Sequence, residues 1–159
     1  MPNKMTEPND SVAPRWSAPP SSKVKNAVQR AVTSLLDQLA PERVLKRAEQ
    51  LRVPVEQHRT PNGCVLQAES DALSVSWFSG AGNDVGLGEL HVVVWHGIVS
   101  RRGTPKRREG ATVVREIVFK PLDNPTADAI WQSDGKEYGT ASLTAFCTKL
   151  LDEQVAKSV

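Results

Sequence analysis

The amino-acid sequence predicts an α+β fold of two layers, in which an antiparallel meander of five to six strands carries two N-terminal helices and one C-terminal helix on one face. Three observations predict it. Apolar residues recur at helical spacing near both ends of the chain, at Val24 to Leu51 and again at Leu143 to Val155. Between them, alternation of period two and runs of β-branched residues take over. The runs are joined by connections too short for the crossover that parallel neighbours require, so the strands are antiparallel.

The chain of 159 residues is 39% hydrophobic and 24% charged, a composition that supports a buried core and a single domain over 21–159. Its net charge of +2 is too mild to argue globally for nucleic acid or an anionic membrane. Two cysteines, Cys64 and Cys147, lie far apart and in no zinc-type spacing, which excludes a disulfide framework and a cysteine metal site. No apolar run is long enough to span a bilayer and the N-terminus has no hydrophobic signal core, so a cytoplasmic protein is expected.

Residues 1–20, rich in Pro, Asn, Asp and Ser, lack periodicity and read as a flexible tail whose one large apolar side chain is Trp16. Val28, Ala31, Val32, Leu35, Leu36 and Leu39 then mark a helix over about 22–39, capped by Ser21 or Ser22. Pro41 opens a second helix over 42–51, with Val44, Leu45, Ala48 and Leu51 inward, and Pro54 ends it. His58 falls in a Pro-bounded loop, and the sheet begins after Pro61-Asn62-Gly63. Cys64 to Glu69 and Ala72 to Phe78 form two strands, the second setting Leu73, Val75 and Trp77 against Ser74 and Ser76.

The segment SGAGNDVGLG, 79–88, resembles a phosphate-binding loop only in composition. Such a loop opens directly into a helix N-terminus, and here a strand follows, so a hairpin connection is expected. That strand, ELHVVVWHGIV, is apolar on both faces and belongs in the middle of the sheet. Leu90, Val92, Val94, His96 and Ile98 share one face; His91, Val93, Trp95 and Val99 share the other. A fourth strand, 111–120, sets Val113, Ile117 and Phe119 against Thr112, Val114, Glu116 and Val118. A fifth covers 129–132, Asp134-Gly135 makes a turn, and 136–138 returns as a short sixth. Thr140 or Ser142 caps the last helix, over 141–156, with Leu143, Phe146, Cys147, Leu150, Leu151 and Val155 as its stripe.

The face carrying Val93, Trp95, Val114 and Val118 is too apolar for bare solvent and too polar for a deep core, which suits an interface with a protein partner, most simply a homodimer. A non-catalytic interaction domain is therefore the expected function. The alternative is sequence-independent binding of nucleic acid or another polyanion by Arg101, Arg102, Lys106, Arg107 and Arg108, five cations within eight residues. A small-molecule or hydrolytic site around His91 and Glu116 is a third reading, because a histidine, a carboxylate and hydroxyls share one face there. No spacing joins a nucleophile, a base and oxyanion donors, so no catalytic residue is assigned. His91 and His96 face opposite ways on one strand, so no shared metal ion, and no cofactor, is expected.

Overall fold

The computed structural model describes residues 22–40, 54–80, 87–99, 111–126 and 129–158. Within them the order is helix α1 (Ser22–Gln38), strands β1 (Glu56–Thr60), β2 (Gly63–Ala68), β3 (Asp71–Ser79), β4 (Gly88–His96), β5 (Thr112–Pro121), β6 (Trp131–Ser133) and β7 (Lys136–Tyr138), and helix α2 (Thr140–Ser158). All seven strands pair in chain order, each antiparallel to the next, which puts β4 at the centre.

The strand count departs from the five to six expected. Glu56–Thr60, EQHRT, pairs with β2 through the two-residue turn at Pro61-Asn62, so His58 lies on an edge strand and not in a loop. This strand has no apolar alternation to announce it; partner hydrogen bonds alone make it extended. The second expected helix, 42–51, lies outside the described residues, as do the tail with Trp16 and the arginine-rich segment. Among the described residues there are two helices.

Both helices sit on one face of the sheet. Val28, Ala31, Val32, Leu35, Leu36 and Leu39 of α1 and Leu143, Cys147, Leu150, Leu151 and Val155 of α2 share a core with Leu66, Leu73, Val75, Leu90, Val92, Val94 and Phe119. Leu35 is fully buried, a contribution of about 2 kcal/mol from area alone. Phe119 meets Tyr138 and Phe146 edge-on, which closes the end of the core towards β7. The helix N-terminus of α2 is held by Ser142, whose hydroxyl accepts from the Gly139 amide across the first turn. Burial pushes the thiol of Cys64 up to about 12, against the opposing charge of Arg59 and a hydrogen bond with Gln57. Burial also raises Cys147, and both cysteines act as small core residues.

Positive φ marks two of the hairpins. Asp134 and Gly135 both have positive φ, 51° and 76°, as the tight β6–β7 turn demands. Gly88, at φ 132°, closes the β3–β4 hairpin beside the Phe78 carbonyl, where a Cβ would collide with backbone.

Candidate functional site

On the face turned away from the helices, register decides which side chains meet, because directly paired residues share a face. Ala72 pairs with Trp95, Ser74 with Val93, Ser76 with His91 and Phe78 with Glu89. Across the other side of β4, His91 pairs with Val118, Val93 with Glu116 and Trp95 with Val113. The last pairing corrects an expectation. Val113 should have joined Ile117 and Phe119 on the helix side, but a bulge opposite Val94 and Trp95 leaves Val114 as the extra residue and turns Val113 to the outer face.

The β2–β3 half of this face is closed by the chain itself. The central strand, expected to run on to Val99, ends at His96: the backbone from Gly97 turns back over the sheet, where Gln67 Nε2 donates to the Gly97 carbonyl and Gln67 Oε1 accepts from the Val99 amide. Val99 is thereby buried with Val65 and Ala72, and Trp95 packs against them. The Trp95 indole donates to Ser74 Oγ at 3.0 Å, which orients the ring and occupies that hydroxyl.

The β4–β5 half stays open. Of the four residues expected to form an interface, Val93 is buried, Trp95 and Val118 are half-buried and Val114 is 47% exposed. Val113, at 54%, and Phe78, at 56%, are the exposed neighbours that register adds to them. In the sequence Phe78 marks only the end of a strand. Its cross-strand contact with the His91 ring, edge-on at 4.8 Å, needs the β3–β4 register to be known.

At the hairpin end of the same face His91 is bracketed by two carboxylates. Its Nδ1 lies 3.1 Å from Glu116 Oε2 and its Nε2 lies 3.0 Å from Glu89 Oε1, while Lys120 Nζ stands 3.9 Å from Glu89 Oε2. The expected proximity of His91 and Glu116 is therefore present, with Glu89 as a third member. This geometry is poor for general base work, because both ring nitrogens are engaged. Of the hydroxyls, Ser76 pairs directly with His91, but Ser74 serves Trp95, and Thr112 pairs with His96 and donates to its carbonyl. Among the described residues no group of three or more His, Cys, Asp or Glu is arranged to hold a metal ion.

A second polar cluster joins the sheet to the C-terminal helix at the opposite end. Asp71 Oδ1 accepts from Gln154 Nε2 at 2.9 Å and from Ser158 Oγ at 3.0 Å, and contacts His96 Nδ1 at 3.1 Å. Burial by itself would raise the Asp71 carboxyl, but hydrogen bonds from Gln154, His96 and Ser158, with the charge of His96, hold it below 3.8. His96 shares its strand face with the buried Leu90, Val92 and Val94. It is satisfied by Asp71, yet at the end of β4 its side chain is 55% exposed. Serine and histidine both converge on the carboxylate, so this is not the chain of contacts from serine through histidine to aspartate that activates a nucleophile. Nothing in the sequence around Asp71 signalled partners 83 and 87 residues away.

The five cations Arg101, Arg102, Lys106, Arg107 and Arg108 lie outside the described residues. The antiparallel pairing of β4 and β5 makes their segment the connection between those two strands. Comparison with protein-family models, with curated proteins and with solved structures finds no match to this chain.

Proposed function

We propose that this chain is a non-catalytic interaction domain that self-associates through the β4–β5 half of its outer sheet face. The observation that carries the reading is the exposure of Phe78, Val113 and Val114, about half of each in water, beside half-buried Trp95 and Val118. These side chains lie on neighbouring strands of a sheet whose other face already has its core, so among the described residues the exposed apolar surface packs against nothing that needs it. The bulge strengthens the reading, because it brings Val113 outward where uninterrupted pairing would have brought it towards the helices. A mixed patch of aliphatic, aromatic and paired polar groups matches the make-up of a protein interface. A second copy is the simplest occupant, since most soluble oligomers are symmetric assemblies of one chain.

Size-exclusion chromatography with light scattering, run over a concentration series, tests it. A mass that doubles with concentration in the wild type and stays at one chain in Val113→Glu is the expected result. Wild-type protein that remains a monomer at high micromolar concentration overturns the homodimer.

A second reading is binding of nucleic acid or another polyanion by the basic segment. Its support is local: five cations fall within eight residues of a chain whose net charge is only +2. The antiparallel pairing of β4 and β5 makes that segment part of the connection between them. Contacts would be to phosphates, so no sequence preference is expected.

A further inference from the structure

The charged cluster on the outer face has a composition that a plain apolar interface would not need. We infer that pairing of two copies through this face is coupled to protonation of His91, so that the dimer tightens as the pH falls. The inference rests on the self-association reading.

Its basis is the geometry of four charged side chains. Carboxylate oxygens only accept hydrogen bonds, and His91 presents one ring nitrogen to Glu116 at 3.1 Å and the other to Glu89 at 3.0 Å. An imidazolium donates at both ends and satisfies both contacts. A neutral ring carries one N–H, so one of its nitrogens then turns a lone pair towards a carboxylate. Lys120 beside Glu89 is the remaining charge on the cluster. From β3, the neighbours of His91 are Ser76, its register partner, and Phe78. Neither carries charge. On β5, Val118 opposes His91 directly and is apolar.

The sum of charges follows. With His91 protonated, two carboxylates face two cations and the cluster is balanced; with His91 neutral, one negative charge is left over. In a two-fold pair the same patch appears on both copies, so any excess charge meets its own kind. A balanced cluster carrying both signs can complement itself across the axis, whereas an unbalanced carboxylate taken out of water beside Phe78 costs heavily. The same balance favours a second copy over a strongly acidic or strongly basic partner, which would find no matching field on this face.

Sedimentation velocity at about pH 8 and about pH 5.5, near either side of the range where histidines titrate, tests the coupling on the full chain. The wild type should dimerise about tenfold or more tightly at the lower pH, and His91→Gln should lose most of that difference. Phe78→Glu, at an exposed position, should be monomeric at both. Absence of a dimer at both pH values overturns the self-association reading and this inference with it. A dimer of equal strength at both pH values overturns the proton coupling alone. A pH effect that persists unchanged in His91→Gln also overturns it, by placing the proton elsewhere. If His91→Gln fails to fold, the histidine ring signals of the wild type decide instead: coupling is reciprocal, so His91 should protonate at a higher pH in a concentrated sample than in a dilute one, and identical titrations refute the idea.

Discussion

Asp71 shows how much a single residue can depend on distant chain. It is 2% exposed, it begins β3, and its Oδ1 gathers His96 from the end of β4 together with Gln154 and Ser158 from the last turns of α2. Removing the carboxylate leaves an amide and a hydroxyl without their acceptor and His96 without its counter-charge. Asp71→Ala should therefore cost about 2–4 kcal/mol in denaturant unfolding, beyond what a surface change would cost. The pH dependence has a definite sign. Because the folded value lies below 3.8, the contribution is fully present above pH 3.8 and is lost as the pH falls through the lower folded value. The stability gap between wild type and Asp71→Asn should accordingly hold from about pH 7 to about pH 4 and narrow below that. A gap that keeps its size at about pH 2 would show that the ionised carboxylate is not what matters there. In the sequence, Asp71 reads only as a turn residue beside Glu69 and Ser70, because its partners are brought to it by the packing of α2.

At the scale of elements, periodicity carried most of the information. The stripes of α1 and α2 were legible because burial on one side of a helix imposes a repeat that survives in the sequence. Leu35→Ala, at a fully buried position of α1, should cost about 2–5 kcal/mol by thermal or denaturant unfolding. A loss below about 1 kcal/mol would mean that α1 does not seal the core. The strands β2, β3, β4 and β5 were legible through alternation and β-branched runs. The edge strand β1 was not, since EQHRT has charges where an edge needs them and nothing apolar to set a period. The bulge in β5 was equally hidden. Two adjacent valines, Val113 and Val114, fit either register, and only the pairing with Val94 and Trp95 shows which one faces outward.

For the whole molecule, seven strands in chain order with both described helices on one side leave one sheet face to be covered by other means. Residues 97–99 cover part of it through Val99, and the β4–β5 half is where association is proposed. The basic segment makes a separate prediction at this scale, because salt dependence counts charges without reference to fold. If all five cations engage duplex DNA, log affinity should fall against log salt with a slope of about −4 to −5. Replacing Arg101, Arg102, Arg107 and Arg108 with Ser should flatten that slope and leave unfolding unchanged; no binding at low salt would remove the polyanion reading. No helix among the described residues is long and apolar enough to cross a membrane. By itself the sequence determined the α+β class, the antiparallel hairpins, the central place of β4 and the inward stripes of both described helices, because each follows from local spacing and connection length. Tertiary structure alone decided the outward turn of Val113, the closing of the β2–β3 half by Val99, the bracketing of His91 by Glu89 and Glu116, and the clamp on Asp71. Each of these joins residues that are distant in the chain, and only register and packing bring them into contact.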